Sequence, residues 1–194
     1  MVCQQKDFRW IAVKTTHLVQ WRELRVSPAR SNELFSMNCR GFGNLHTGRE
    51  LVEIIREKDP AVVFLAETFT DDARLEVIQR SIGFDHRWVV PRVGRGGGLV
   101  LYWKDSINLT VEDLDRYYID VVINKNTENE WRLTGFYGEP DTARRHEAWD
   151  TLRALNSQQE KPWLCFGDFN EIIKQDEKLG VLGGLIIKCS SLGR

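Results

Sequence analysis

The sequence has no long hydrophobic run, and this argues against one large class of protein. No apolar stretch approaches the roughly 18 residues that a membrane-spanning helix needs. The N-terminus also mixes the charged residues Lys6, Asp7 and Arg9 with apolar ones, so it lacks the pattern of a signal peptide. We therefore expect an intracellular protein that is neither secreted nor inserted in a membrane.

Net charge is also scarce. The 194 residues include 27 Lys and Arg against 28 Asp and Glu, which gives a formal net charge of −1. A near-neutral balance provides no overall positive field of the kind that strongly basic nucleic-acid-binding proteins have. Any binding of a polyanion would therefore depend on a local group of residues.

Cysteine is sparse and widely spaced. The four cysteines, Cys3, Cys39, Cys165 and Cys189, form no CxxC pair and have none of the histidine spacings of a zinc site. We expect reduced thiols. Because Cys39 and Cys165 lie within apolar, strand-like runs, we interpret both as buried structural residues rather than nucleophiles.

The composition, with 42% hydrophobic and 28% charged residues, is that of one ordinary globular domain. Regular patterning begins with two apolar runs of strand length, at residues 34–39 and 61–66, each followed by a helical pattern. Thr47 and Glu50 have the spacing of a capping box for the first helix, and Asp71 opens the second. The order strand, helix, strand, helix predicts an α/β domain.

The middle of the chain changes to short strands separated by polar turns, which is typical of antiparallel hairpins. We predict strands at residues 87–90, 98–103, 107–111, 118–124 and 130–137, a third helix at about 142–155, and a last buried strand at 163–167. The glycine-rich residues 94–98 fit either a turn into a strand or a loop that approaches phosphate. Residues 1–33 show no sustained periodicity, so we treat them as an N-terminal appendage.

Four apolar strands end in polar residues of kinds that perform chemistry: Asn38, Glu67, Tyr137, and Asp168 with Asn170. In α/β sheets, ligand sites gather at the carboxyl ends of strands. A glutamate and an aspartate at one such edge could share a divalent cation, while amides and a phenol could hydrogen-bond phosphate oxygens. The sequence therefore predicts a phosphate-and-metal site at this edge.

Each position also has a purely structural interpretation. Glu67 could cap the following helix, and Tyr137 could be a core aromatic residue with its hydroxyl at the surface. Asp168 and Asn170 could form an Asx turn. Taken singly, the residues leave both interpretations open, and only their recurrence at strand ends favours the functional one.

The segments MNCRG (37–41), LAET (65–68), GFYG (135–138) and GDFN (167–170) occur in the order found in one family. In these segments the chain resembles the endonuclease/exonuclease/phosphatase superfamily, and within it the apurinic-type endonuclease domain of plant non-LTR retrotransposons. The resemblance extends from about residue 34 to about residue 180. It implies a DNase I-like, two-sheet α/β sandwich that binds Mg²⁺ or Mn²⁺ and hydrolyses DNA, with the nucleus as one candidate location.

The resemblance also implies a role for each strand-end residue. Glu67 matches the metal-binding glutamate, and Asn38 matches an asparagine that supports both the metal and the phosphate. Tyr137 matches a tyrosine that contacts the scissile phosphate, and Asp168 an aspartate that orients or deprotonates the attacking water. Asn170 matches the asparagine that holds the phosphate and this aspartate.

Two departures from the family pattern bear on activity. Arg40 stands where relatives often have an acidic residue, as it does in the plant elements. The closing Ser-Asp-His segment of the family is absent, and all four histidines precede Asp168. We therefore expect a partial domain at residues 34–180, incomplete at its C-terminus and followed by a divergent tail at 181–194, with little or no nuclease activity.

Two alternative functions remain open at this stage. One is a phosphatase that acts on small phosphoesters, and the other is a non-catalytic module that binds nucleic acid or another molecule. Cleavage assays on DNA and on a set of phosphoesters would separate them. The sequence predicts no particular protein partner.

Overall fold

The computed structural model describes residues 10–14, 19–20, 33–42, 45–92, 97–157, 161–170 and 185–187, which form two β-sheets with helices on their outer faces. The helices are α1 (Leu45–Lys58), α2 (Asp72–Ile82) and α3 (Arg145–Ser157), the last preceded by a 3-10 turn at Thr142–Arg144. The strands are β1 (Trp10–Lys14), β2 (Val19–Gln20), β3 (Glu33–Asn38), β4 (Val62–Ala66), β5 (His86–Val90), β6 (Leu99–Trp103), β7 (Leu109–Asp115), β8 (Tyr118–Ile123), β9 (Trp131–Tyr137), β10 (Trp163–Asp168) and β11 (Leu185–Ile187). Within these ranges, no helix is both long enough and apolar enough to cross a membrane.

The two sheets form the α/β sandwich that the resemblance implies. The six-stranded sheet has the order β11-β1-β10-β9-β8-β7, and the five-stranded sheet has the order β2-β3-β4-β6-β5. Strands β3 and β4 are parallel neighbours, and so are β9 and β10. Because parallel strands end at the same edge of a sheet, each sheet presents two strand ends side by side.

The core lies partly between the sheets and partly under the helices, which explains why β4 is apolar at every position. Phe64 faces the other sheet and meets Phe166, with ring centroids 5.7 Å apart. Val63 and Leu65 face the opposite way and pack in the cluster beneath α1 and α2. A strand covered on both faces needs no polar residue, so the prediction of a doubly buried strand is confirmed.

The helix boundaries agree with the sequence in one case and differ in another. Asp71 caps α2 by accepting a hydrogen bond from the Arg74 backbone N–H (2.8 Å), and Gly83 closes that helix in the left-handed conformation (φ 74°). Helix α1 instead begins at Leu45, so Thr47 lies inside its first turn. The predicted capping box, which requires Thr47 to precede the helix, is wrong.

Parts of the two terminal segments belong to the sheets. Trp10–Lys14 pairs in parallel with β10, and Val19–Gln20 pairs with β3. Leu185–Ile187 pairs antiparallel with β1. At these residues the structure differs from the expected appendage and tail. The sequence does not predict these strands, because short strands that pair with distant parts of the chain show no local periodicity. The remainder of residues 1–33 and 181–194 lies outside the described residues.

Both described cysteines are buried, and we predict that neither reacts in the folded protein. Cys39 is 4% exposed and Cys165 is fully buried, and neither forms a disulfide. Burial raises the pKa of both thiols, with the nearby Glu67 charge adding to the effect at Cys39. Because the thiolate is the reactive form, alkylation at neutral pH should leave both unmodified. Peptide mapping by mass spectrometry should show modification of Cys39 and Cys165 only after denaturant is added, and modification of native Cys39 would contradict the prediction.

Candidate active site at the edge of the two sheets

The five predicted site residues lie at one edge of the sandwich. Asn38 ends β3 and Glu67 follows β4 in the five-stranded sheet, and Asn38 is in register with Ala66. In the six-stranded sheet, Tyr137 ends β9 in register with Asp168 at the end of β10, and Asn170 follows two residues later. Two of the five residues thus lie side by side at the edge of the five-stranded sheet, and the other three lie at the edge of the six-stranded sheet.

Two hydrogen bonds join the groups across the gap between the sheets. The Tyr137 hydroxyl donates to Glu67 Oε1, and Asn38 Nδ2 donates to Asp168 Oδ2 (3.1 Å). Residues that are 70 and 130 positions apart in the chain therefore contact each other directly. The structure brings together all the residues that the sequence placed at strand ends.

Asn170 supports Asp168 from the other side. Its backbone N–H donates to Asp168 Oδ1 (3.0 Å), and its side-chain Nδ2 donates to the Gly138 carbonyl (2.6 Å). The Asp168 carboxylate thus receives one hydrogen bond on each oxygen. This arrangement fixes the orientation of the carboxylate without using an ion pair.

The purely structural interpretations account for only part of these contacts. Asp71, not Glu67, caps α2. The Asx turn of Asp168 and Asn170 does form, but it uses only one carboxylate oxygen, because the other accepts from Asn38. Tyr137 is a largely buried aromatic residue, 9% exposed, whose hydroxyl nevertheless points to Glu67.

Burial and the hydrogen bond to Glu67 raise the pKa of Tyr137 above its ordinary value. A phenol with a raised pKa keeps its proton at neutral pH. Tyr137 is therefore a hydrogen-bond donor at this edge. Its single O–H proton orients the Glu67 carboxylate here, and donation to an anion such as a phosphate oxygen would replace that bond.

The backbone of the edge is unusual at four residues. Arg40 (φ 46°), Glu67 (φ 52°), Phe69 (φ 45°) and Asn170 (φ 50°) adopt the left-handed conformation, although none is glycine. Such conformations cost on the order of 1–3 kcal/mol each and persist only where the surroundings impose them. Four of the seven non-glycine residues with positive φ in the described part of the chain thus lie at this edge.

Backbone hydrogen bonds hold these loops together. The loop after β3 donates to the loop after β4 through Cys39 N–H to Ala66 O (2.9 Å), Gly41 N–H to Glu67 O (2.7 Å) and Phe42 N–H to Thr68 O (3.1 Å). The hydrogen-bond ladder between β3 and β4 therefore continues past the strand ends and fixes the Glu67 loop on the side that faces the loop after β3. A carboxylate on such a loop has little freedom to move.

A second loop fixes the Glu67 segment from the opposite side, and sequence reasoning missed it. Thr68 N–H donates to Gly98 O (3.3 Å), its hydroxyl donates to Gly97 O (3.1 Å), and Phe69 N–H also donates to Gly97 O (2.7 Å). A side chain at Gly97 would place its Cβ 2.4 Å from Glu67 Cα. The glycine run at 94–98, of which the structure describes Gly97 and Gly98, was the available signal, because glycine permits this close approach.

Gly138 has a comparable role on the other sheet. Its N–H donates to the Asp168 carbonyl (2.7 Å), and a Cβ at this position would lie 2.1 Å from the Phe169 carbonyl oxygen. The loop that follows Tyr137 therefore passes directly against the loop that contains Asp168. A side chain at position 138 would separate Tyr137 from Asp168.

The residues present are compatible with a hard divalent cation. Glu67 and Asn38 offer carboxylate and amide oxygens, the ligand type that Mg²⁺ and Mn²⁺ prefer. Tyr137 uses only Oε1 of the Glu67 carboxylate. The described part of the chain has no cluster of three or more His, Cys, Asp and Glu that could hold a metal. A cation held by these two side chains alone would keep waters or phosphate oxygens as its other ligands, as Mg²⁺ commonly does.

Comparison with known families agrees with the sequence motifs. The family described as Endonuclease/Exonuclease/phosphatase family matches residues 35–176, which include all five site residues. No curated protein sequence matches the chain.

The chain is similar to several solved structures, and the first two of the three that follow share its fold. D. rerio TDP2 complexed with a single-strand DNA product has 14% identity and a TM-score of 0.54, covering 77% of this chain and 65% of that one. The human Nocturnin catalytic domain has 12% identity and a TM-score of 0.52, covering 75% of this chain and 66% of that one. The endonuclease domain of TRAS1, a telomere-specific non-LTR retrotransposon, has 15% identity and a TM-score of 0.49, with coverage of 84% and 62%. The chain thus spans less than two thirds of each of these three chains.

Proposed function

Because the chain belongs to the endonuclease/exonuclease/phosphatase family, we propose that it hydrolyses phosphodiester bonds in DNA with a divalent cation, Mg²⁺ or Mn²⁺. The observation that carries this proposal is the pair of hydrogen bonds, Tyr137 to Glu67 and Asn38 to Asp168, that unite the two strand-end groups. DNA is the chosen substrate because the four sequence motifs resemble those of retroelement endonucleases. The TDP2 neighbour, solved with a single-strand DNA product, supports nucleic acid as the first substrate to test.

The roles that the resemblance implies for these side chains are compatible with their positions. Glu67 and Asn38 would hold the cation, which when bound neutralises charge that develops on the phosphate. Asp168, held by hydrogen bonds on both oxygens, orients a water molecule and accepts its proton. The Asn170 amide, which uses one N–H for the Gly138 carbonyl, would donate the other to a phosphate oxygen. Tyr137 would donate to phosphate in exchange for its bond to Glu67.

We further propose that the 194-residue polypeptide cleaves DNA slowly. It contains no Ser-Asp-His sequence, so it does not supply the aspartate and histidine that the resemblance implies for the metal site and the phosphate clamp. Loss of one catalytic acid or base typically costs about 10²–10⁴-fold in rate. Weak, metal-dependent cleavage is therefore the expected behaviour.

The test is conversion of supercoiled plasmid to the nicked form over long incubations with Mg²⁺, Mn²⁺ or a chelator. We expect slow nicking that requires the metal and is lost in Glu67→Gln. The matched control is Glu76→Gln, which alters an exposed glutamate paired with Arg80 on α2 and should leave nicking unchanged.

Three results would contradict parts of the proposal. Rapid nicking by the purified polypeptide would show that the rate is not impaired. Metal-dependent hydrolysis of small phosphoesters without nicking would favour a phosphatase. Salt-sensitive DNA binding with no metal-dependent product would favour a non-catalytic binding module.

A further inference from the structure

One exposed aromatic residue stands beside the candidate site. Phe69 lies two residues after Glu67 and is 40% exposed. The other exposed large apolar residues of the described ranges lie on α1, α2, β5 and β7: Ile54, Val77, Trp88 and Leu114. A phenylalanine that a loop presents to solvent this close to a candidate metal ligand is not explained by core packing.

The backbone at Phe69 is held in a conformation that disfavours its own side chain. Its φ of 45° is rare for a bulky residue, and the Phe69 N–H bond to the Gly97 carbonyl (2.7 Å) helps to impose it. On the other side, a Cβ at Gly41 would lie 3.4 Å from Phe69 Cβ. The Phe69 loop thus lies between the loop that contains Gly97 and the loop that contains Gly41. Strain of this kind concentrates at ligand-contacting positions.

The loop adjacent to that of Phe69 carries a positive charge. Arg40 is exposed on the adjacent loop, and among the described residues no carboxylate pairs with its guanidinium. The Gly41 N–H bond to the Glu67 carbonyl (2.7 Å) ties the loop of Arg40 to that of Phe69. An exposed aromatic ring and a cation on adjacent loops are the combination that binds a base and its phosphate together.

We propose that Phe69 contacts a nucleobase of the bound DNA next to the phosphate that Tyr137 and Asn170 would contact. This inference rests on the proposed function. It adds a contact that determines at which position along the DNA the site binds. Aromatic rings stack on any base, so the contact would favour unstacked or deformable positions rather than one sequence.

The experiment uses Asp168→Asn protein, in which bound DNA should not be cleaved, and short DNA duplexes that carry the fluorescent base 2-aminopurine at successive positions. We expect quenching of 2-aminopurine at one or two positions, and its loss with Phe69→Ala in the same background. Binding should weaken by about tenfold, in the range found for removal of one aromatic stacking partner. Phe69→Tyr should retain both signals, and Val77→Ala, at an exposed position on α2, is the control.

Thermal stability distinguishes this role from a structural one. Phe69→Gly relieves the positive φ, so its Tm should equal or exceed that of the parent while DNA binding falls. A lower Tm together with unchanged binding would overturn the inference. Unchanged quenching and affinity in Phe69→Ala would also overturn it and leave the proposed function standing. If neither the natural chain nor Asp168→Asn binds DNA under any condition, the proposed function and this inference are both wrong.

Discussion

Asparagine in place of Asp168 should lower the rate of metal-dependent DNA cleavage by about 10²–10⁴-fold, the range typical of a lost general base. The substitution keeps the size of the side chain and one oxygen that can accept from the Asn170 N–H, now at 3.0 Å. It removes the basic carboxylate that would take the proton from water. The rate should be measured as plasmid nicking at excess protein, so that weak binding does not mask the chemical step.

A matched surface substitution provides the first control. Asp150→Asn alters an exposed aspartate that pairs with Arg153 on α3 and should leave the rate unchanged. If Asp168→Asn cleaves DNA as fast as the parent, the assignment of Asp168 as the base is wrong.

A swap variant separates the chemistry from the hydrogen bond. In Asp168→Asn, the new amide can face the Asn38 Nδ2 group, and two donors would then oppose each other where one bond of 3.1 Å now exists. Combining it with Asn38→Asp restores a donor and an acceptor in the reverse direction. We expect the pair to recover thermal stability relative to Asp168→Asn but not activity. Recovery of both would mean that Asp168 acts only by holding the sheets together.

The sequence predicts most of the central elements because their patterns are local. Strand β4 is apolar at every position since both of its faces are covered, and α2 carries its own cap at Asp71. The site residues are predictable as strand ends for the same reason. Their pairing is not, because the bonds from Tyr137 to Glu67 and from Asn38 to Asp168 depend on how two sheets pack. Their recurrence at strand ends and the family resemblance indicated that these residues act together, but not which pairs form.

The features that the sequence does not predict depend on contacts distant along the chain. Trp10–Lys14 is a five-residue strand that pairs with Trp163–Asp168, and its own residues show no period that distinguishes a strand from a loop. The conformation of Phe69 arises from a carbonyl at Gly97, 28 positions later in the sequence. When two loops approach this closely, the only sign in the sequence is a glycine at the point of contact.

Replacement of Arg132 by methionine should destabilise the fold by about 3–5 kcal/mol, the range found when one partner of a buried ion pair is removed. Arg132 and Asp120 are both about 3% exposed, and Arg132 Nε lies 2.8 Å from each oxygen of Asp120. Arg132 also donates to the Leu155 carbonyl and lies over the Trp163 ring, 5.2 Å from its centroid. Thr134 donates to Asp120 and accepts from Trp163 Nε1 (2.7 Å). The network therefore links β8, β9, β10 and α3.

Urea unfolding followed by tryptophan fluorescence measures this loss, and Arg153→Met is the control. Arg153 pairs with Asp150 at the surface, with both side chains more than 60% exposed, so its replacement should change stability by less than about 1 kcal/mol. Equal effects of the two substitutions would show that the buried pair contributes nothing special.

The pH dependence of the Arg132→Met defect gives a sharper test than its size. Burial raises the pKa of Asp120, against the opposing effects of Thr134 and Arg132, so removing Arg132 should raise it further. A carboxyl whose pKa is higher in the folded than in the unfolded state stabilises the fold at low pH and loses that contribution as the pH rises through the folded value. The deficit of Arg132→Met relative to the parent should therefore grow from mildly acidic to neutral pH. Adding Asp120→Leu should reduce the deficit and remove its pH dependence, because no buried charge then remains. A deficit that stays constant with pH in both variants would indicate that lost packing around Trp163, rather than an unpaired carboxylate, causes the instability.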